Sequence, residues 1–96
     1  MKYIRVKAKY LSPYIRDLVG LSEEVVTVEE GSSVKDVIMK IAEIHGKQVL
    51  AQLLDDSERD LRGGIVVLVN NTTVQDINHK IQDNDTLVFL IALNGG

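Results

Sequence analysis

One amphipathic helix, placed between strand-like segments at both ends of the chain, restricts the available folds more than any other feature of this sequence. We predict the helix over residues 33–45, because an apolar stripe recurs there at helical spacing. The stripe consists of Val34, Val37, Ile38, Ile41 and Ala42. Ser33 is a good N-cap, Asp36 can complete a capping-box-like arrangement, and Gly46 is placed to cap the C-terminus.

Strand patterns surround this helix. In residues 2–10 apolar and charged side chains alternate, which is the period-2 pattern of a half-buried strand. The other segments that we predict as strands are residues 24–29, 65–69, 72–74 and 86–93. Asn70-Asn71 is a turn signal because asparagine tolerates the left-handed backbone region, and residues 83–85 are predicted as another turn.

Three shorter segments complete the assignment. Ser12-Pro13 offers an N-cap and a first-turn proline, so a short helical turn is predicted there, with Gly20 at its end. Residues 47–54 are predicted as a second short helix. Residues 55–60 are predicted as a polar loop.

These elements predict an α+β protein, with a mixed sheet of four to five strands and the one main helix across one face. The first and last strands are expected as parallel neighbours in the middle of the sheet, which is the β-grasp (ubiquitin-like) arrangement. Ninety-six residues fit one domain of ordinary size. We therefore expect a domain over residues 1–93 and a flexible Asn-Gly-Gly tail over residues 94–96.

The composition excludes several functions. Cysteine is absent, which excludes disulfides, thiolate metal sites and a cysteine nucleophile. The net charge of -3 has the wrong sign for nucleic acid as the main partner. His45 and His79 make no metal-ligand spacing, so no metal is expected. No apolar run approaches the roughly 20 residues that span a bilayer, so a soluble cytoplasmic protein without a membrane partner is the expectation.

A self-contained enzyme is not expected either. Neither histidine has an obvious carboxylate to orient it. Four acids fall within residues 55–60, but the glycine and terminal glutamate of a calcium loop are missing, so we interpret the segment as a solvated loop. Gly63-Gly64 lacks the spacing of a phosphate-binding loop and is interpreted as a turn that enters the strand at Ile65.

Two features are left unexplained by folding, and the first is the end of the sequence. Gly95-Gly96 follow directly from a strand, where no turn is needed. Because glycine lacks a Cβ atom, such a tail can enter a narrow channel and leaves its terminal carboxylate sterically open. A free carboxylate is a poor electrophile, so a partner would have to activate it, most simply as an acyl-adenylate made with ATP. The alternative is a frayed polar tail.

The second feature is the last strand, which is apolar on both faces. One helix covers one face of a sheet, so the opposite face is expected to expose Val88 and Leu90 beside part of the strand at 65–69. Exposed apolar patches commonly mark partner surfaces. The predicted partner-binding residues are Val88, Leu90, Ala92, Leu93 and Asn94. The alternative is that segment 47–62 folds over this face.

Several short motifs occur along the chain in a recognisable order. Residues 15–20 have the sequence Ile-Arg-Asp-Leu-Val-Gly, and residues 28–38 pass from a strand through a turn into the helix. The remaining motifs are Val67-Leu68-Val69-Asn70, Asp83-Asn84-Asp85, Phe89 and the terminal Gly95-Gly96. Together they resemble the small sulfur carriers of the MoaD and ThiS type and the related ubiquitin-like modifiers of archaea and eukaryotes. Many MoaD-type chains carry paired prolines before the diglycine, whereas residues 90–94 contain none.

This resemblance implies a carrier that binds no cofactor of its own. An E1-like enzyme would use ATP to adenylate the Gly96 carboxylate, and sulfur would then replace the leaving group to give a thiocarboxylate. The implied sulfur acceptors are the molybdopterin synthase large subunit or a tRNA base. The alternative is a modifier whose Gly96 forms an isopeptide bond with lysines of target proteins. A third hypothesis is a β-grasp binding subunit whose tail is inert.

Overall fold

The computed structural model of the protein describes residues 2–92. Its elements in chain order are β1 (Tyr3–Tyr10), α1 (Pro13–Val19), β2 (Glu23–Glu29), α2 (Val34–His45), α3 (Lys47–Leu53), β3 (Ile65–Val69), β4 (Thr72–Val74) and β5 (Thr86–Ile91). They follow the predicted order. None of the helices in this part of the chain has the length and apolar character needed to cross a membrane.

The strands form one five-stranded sheet in the order β2-β1-β5-β3-β4. β1 and β5 run parallel at its centre, with Lys7 opposite Thr86 and Tyr10 opposite Phe89. The other neighbouring pairs are antiparallel. The prediction of a mixed sheet with the first and last strands parallel in its middle is therefore confirmed.

Helix α2 begins at the predicted capping box. The Ser33 N–H donates to Asp36 Oδ2 at 2.9 Å, and the Asp36 N–H donates to Ser33 Oγ at 3.3 Å. Gly46 ends the helix with a φ of 119°, a conformation that side chains other than glycine rarely adopt. The whole predicted apolar stripe of α2 is buried.

A single core fills the space between the helices and one face of the sheet. The side chains of β1 that point into this core are Ile4, Val6, Ala8 and Tyr10. Each helix contributes fully buried side chains to the same cluster, among them Ile15 of α1, Ile41 of α2 and Leu53 of α3. All three helices therefore lie on the same side of the sheet.

Segment 47–62 also belongs to the helix side. Val49, Leu53 and Leu54 are buried in the core cluster. The Arg62 N–H donates to the Leu53 carbonyl at 2.9 Å, which ties the end of the following loop back to α3. This packing excludes the alternative in which the segment folds over the opposite face of the sheet.

Left-handed backbone conformations occur at the predicted turns. Asn70 and Asn71, which join β3 to β4, have φ values of 50° and 71°. Asn84 has a φ of 69° in the turn before β5. Between these turns, Ile77 and Ile81 extend from an irregular segment into the core. The asparagines therefore set the backbone direction at both ends of a segment that two buried isoleucines hold in place.

Candidate functional site

Hydrogen bonds from two other parts of the chain fix the end of β5. The Ile91 N–H donates to Ser12 Oγ at 2.8 Å, and the Ala92 N–H donates to the Gly64 carbonyl at 2.7 Å. Ala92, the last described residue, is exposed and lies outside the strand, so β5 ends before the predicted residue 93. Ile91 and Ala92 are thus held between the N-terminus of α1 and the turn that precedes β3.

Ser12 has a different partner from the one expected. It occupies the N-cap position of α1 with Pro13 after it, as predicted, but its side chain makes no capping hydrogen bond. The hydroxyl instead accepts the Ile91 N–H, a residue 79 positions away. No local sequence signal distinguishes these two uses of a serine, because both place it directly before a helix.

The predicted chemical group lies outside the described residues. Gly95 and Gly96, with Leu93 and Asn94 of the predicted partner surface, follow the last described residue, Ala92. The assignment of these four residues therefore stays a prediction.

The sheet face opposite the helices carries an apolar surface. Val66 and Leu68 of β3 and Leu90 of β5 are half-buried there. Val88 is only 8% exposed, so the prediction that it is exposed is wrong. In the central strand Val88 lies between Leu68 and Lys9 on the neighbouring strands, and these cross-strand neighbours cover it. We call the surface formed by Val66, Leu68, Val88 and Leu90 the open face.

Positive charges border the open face. Arg5, Lys7 and Lys9 alternate along β1 and point away from the core. Lys7 Nζ lies 3.7 Å from Glu23 Oε2 of β2. Arg5 and Lys9 form no ion pair within residues 2–92. An apolar centre with a cationic border matches a protein partner that carries carboxylates around apolar residues.

A polar chain of three side chains connects the helix side to the sheet. Glu24 Oε2 accepts a hydrogen bond from the Tyr10 hydroxyl at 2.6 Å and lies 2.7 Å from His45 Nε2. The prediction that neither histidine has a carboxylate partner is therefore wrong for His45. The pKa of Tyr10 is raised far above its ordinary value. Burial is the largest cause, and the hydrogen bond to Glu24 and the negative charge of Glu24 add to it. The three groups satisfy one another, which is typical of a structural contact.

The acidic loop of residues 55–60 binds its own backbone. Asp55 Oδ1 accepts the Ser57 hydroxyl at 2.7 Å and the Ser57 N–H at 3.1 Å. The hydroxyl bond is the main cause of the lowered pKa of Asp55. Across residues 2–92, no group of three histidine, aspartate or glutamate side chains is placed to hold a metal ion.

The fold is similar to that of several solved small proteins. SAMP1 from Haloferax volcanii matches with a TM-score of 0.80 at 19% identity, over 96% of this chain and 99% of that one. A chain in the BexX/CysO complex of Amycolatopsis orientalis matches with a TM-score of 0.77 at 24% identity, over 95% of this chain and 99% of that one. Urm1 from Trypanosoma brucei matches with a TM-score of 0.73 at 18% identity, over 100% of this chain and 99% of that one. The predicted β-grasp fold is confirmed by these likenesses.

Comparison with curated proteins finds no match. Comparison with models of protein families finds one that covers most of the sequence, from residue 13 to residue 96. The matched part therefore includes the central strand β5, the segment after it and the terminal Gly95-Gly96. The model describes the ThiS family, and the extent of the match means that this chain belongs to the ThiS family.

Proposed function

We propose that this protein is a sulfur carrier that works through the carboxyl group of Gly96. The observation that carries the proposal is the ThiS-family match, because it runs through Gly95 and Gly96. The structure supports it by placing the central strand of the sheet directly before the tail. A strand with neighbours on both sides is a rigid base from which a short tail can reach a partner's active site.

The proposed chemistry begins with activation by a partner. On an E1-like enzyme, a carboxylate oxygen of Gly96 attacks the α-phosphorus of ATP, which forms the acyl-adenylate and releases pyrophosphate. A hydrosulfide-equivalent nucleophile then attacks the acyl carbon, and AMP leaves with the bonding electrons. The product is a thiocarboxylate, whose sulfur is a nucleophile for transfer to molybdopterin precursor or to a tRNA base. ATP binds the partner, and this chain contributes the acyl group.

We assign recognition of the activating enzyme to the open face together with Ala92, Leu93 and Asn94. The half-buried Leu68 and Leu90 supply apolar area next to the point where the chain leaves the sheet. Such a partner would contact the apolar centre and guide the tail in one docking event. The molybdopterin synthase large subunit is a candidate partner that would bind the same surface.

Intact-mass spectrometry tests the sulfur-carrier proposal. The full chain is incubated with the E1-like enzyme encoded in the same genome, ATP and a sulfur source. We expect the mass to change by the exchange of one oxygen for sulfur. A chain that lacks Gly96 is the matched control, and we expect it to keep its fold and show no exchange, because glycine has no side chain to bury and the core cluster described for residues 2–92 stays intact. An unchanged mass for the full chain with every such activating enzyme would contradict the proposal.

A protein modifier is the second candidate. Two observations favour it: residues 90–94 contain no proline, and the fold is similar to that of small archaeal modifier protein 1. In this case a lysine amine of a target protein attacks the activated Gly96 carbonyl and forms an isopeptide bond. Both candidates share the activation step and differ in the nucleophile that follows it.

Mass spectrometry of target peptides separates the two candidates. Trypsin cleaves after lysine and arginine, and the last such residue is Lys80, so the remnant on a target lysine would extend over residues 81–96. The Asn94→Arg variant shortens this remnant to Gly-Gly and serves as a second search. Conjugation is supported if the same target lysines carry the long remnant in cells with the original chain and Gly-Gly in cells with the Asn94→Arg variant. Thiocarboxylate without any adduct, in cells under stress and in growth, assigns the protein to sulfur transfer alone.

A further inference from the structure

The β2 strand forms a free edge of the sheet. Over residues 2–92 it pairs only with β1, and its outer side meets no other strand. It has seven residues, against three in β4 at the opposite edge. A long unpaired edge presents backbone donors and acceptors to which another strand can bind.

The hydrogen-bond pattern identifies the backbone groups that are free at this edge. The Tyr10 N–H donates to the carbonyl of Ser22, its opposite residue, at 2.8 Å. Hydrogen-bonded pairs alternate along an antiparallel ladder, so even-numbered residues of β2 direct their N–H and C=O groups toward β1. The odd-numbered Val25 and Thr27 direct theirs outward. These two residues offer donors and acceptors to an added strand.

A groove adjoins the free edge on the helix side. It has a volume of about 500 Å³ and lies between β2 and α2, with Val28 and Glu30 on one wall and Met39 on the other. Met39 is 40% exposed, and its flexible side chain can adapt to a ligand. On the opposite face of the sheet, Val25 is 58% exposed. An added strand would therefore meet an apolar side chain on each of its two alternating faces.

Negative charge surrounds the groove. The residues that line it include four acidic ones, Glu29, Glu30, Asp36 and Glu43, and a single lysine, Lys40. Asp36 is held in the capping box, and Glu43 Oε1 lies 3.6 Å from Lys40 Nζ. Glu29 and Glu30 form no ion pair within residues 2–92. Two unpaired carboxylates beside the edge favour a cationic ligand.

We propose that the β2 edge and its groove bind an extended segment of a partner protein in which lysine or arginine residues flank an apolar centre. The free backbone groups of Val25 and Thr27 pair with the segment, Met39 and Val25 contact its apolar side chains, and Glu29 and Glu30 contact its cations. A second copy of this chain fits poorly, because edge-to-edge pairing of two β2 strands brings their glutamates together. The site lies on the other side of β1 from β5, so it does not depend on the proposed role of Gly96.

A peptide titration of the full chain tests this proposal. The probe is acetyl-Lys-Arg-Ile-Val-Ile-Arg-Lys-amide, followed by NMR chemical shifts and amide hydrogen exchange. We expect slower exchange at the Val25 and Thr27 amides and shifts at Met39. One control peptide has proline in place of the central valine, and another has glutamate in place of every cation. Both are expected to bind at least about tenfold more weakly, which corresponds to about 1.4 kcal/mol.

Two sets of variants locate the site on the protein. Thr27→Pro removes an outward N–H, which an edge strand tolerates, and is expected to weaken binding about fivefold to tenfold, whereas Thr27→Ala keeps the N–H and binds like the original chain. The double substitution Glu29→Gln and Glu30→Gln keeps the backbone groups and is expected to weaken binding about fivefold and reduce its salt dependence. If Thr27→Pro fails to fold, the affinity of this double variant alone tests whether the peptide binds at the β2 edge.

Four outcomes would overturn the proposal. The first is that no binding is detected at millimolar peptide. The second is that the acidic peptide binds as well as the basic one. The third is that the peptide shifts the side-chain methyl signals of Leu68 and Leu90 on the open face and leaves the amides of the β2 edge unprotected. The fourth is that Val25 and Thr27 are protected without peptide, in step with a concentration-dependent dimer, which would assign the edge to a second copy of this chain.

Discussion

Tyr10 places a hydroxyl group inside a core that is otherwise apolar. Its ring stacks on Phe89 with centroids 5.8 Å apart, and its hydroxyl donates to Glu24. Glu24 in turn contacts His45, so a carboxylate of β2 has two partners in a largely buried position. Burial of any one of these groups alone would be costly. Together they fix the end of α2 relative to the sheet.

Tyr10→Phe should therefore lower the stability of the fold at neutral pH. The change removes a hydrogen bond to a charged group, so we expect a loss of about 1–3 kcal/mol in the free energy of unfolding. Urea denaturation followed by circular dichroism measures this loss. Tyr14→Phe is the matched control, because the Tyr14 hydroxyl bonds Gln52 at an exposed site. Equal stability of Tyr10→Phe and the original chain would contradict the structural role of this contact.

The same residue predicts a dependence on alkaline pH. The pKa of Tyr10 is raised in the folded state. The unfolded chain therefore ionises first, from about pH 10, and the contribution of Tyr10 is fully present below that pH and is lost as the pH rises further. Denaturation curves collected from about pH 9 to pH 11 should show a steeper loss of stability for the original chain than for Tyr10→Phe. Parallel curves for the two proteins would contradict the linkage.

At the scale of the element, α2 has both a start signal and a buried face. The reciprocal bonds between Ser33 and Asp36 satisfy backbone donors at its first turn. The Val34 N–H is also bonded, to the His79 carbonyl at 3.0 Å, so the segment before β5 helps to hold the same end of the helix. The start of α2 therefore depends on a local signal and on one contact from a distant part of the chain.

Ser33→Ala tests the contribution of the local signal. The substitution removes the hydroxyl that accepts the Asp36 N–H, and we expect it to lower the free energy of unfolding by about 1 kcal/mol. Ser32→Ala is the matched control one position earlier, because Ser32 is only partly buried and lies before the N-cap. Thermal and urea denaturation of the two variants provide the comparison. If both variants lose the same stability, the capping bond is not the cause.

At the scale of the whole molecule, the sheet separates the core from both of the partner surfaces that we propose. The helices bury one face of the sheet and supply the stability, whereas the proposed surfaces are the open face and the β2 edge. Of these two surfaces, the open face includes residues of β5 itself, whereas the β2 edge is separated from β5 by β1. This division allows the protein to change its partner contacts with little effect on the core.

Substitution on the open face should affect partner binding more than folding. We expect the double change Leu68→Ser and Leu90→Ser to weaken binding to the activating enzyme about tenfold or more, because it removes apolar contact area on two adjacent strands. Ile44→Ser is the matched control, since Ile44 is an exposed apolar residue of α2, on the helix side of the sheet. Calorimetric titration measures both affinities. A loss of affinity that is equal for the double variant and Ile44→Ser would contradict the assignment of the open face.

The sequence by itself determined the elements of this protein, their order along the chain, and the parallel pairing of the first and last strands in the middle of the sheet. The stripe of α2, the alternation in β1, the capping box and the asparagine turns all depend on residues within a few positions of one another. Such local patterns report directly on backbone geometry, and every one of these predictions is confirmed.

Only the tertiary structure decided which distant groups meet. The contact of Glu24 with His45 and the bond from Ile91 to Ser12 join residues 21 and 79 positions apart, and no periodicity encodes them. Val88 shows the same limit, because its alternating position gives the face on which it lies but not how closely its neighbours cover it. Partner choice at a side chain is a property of packing between strands and helices, and it exists only once the elements have come together.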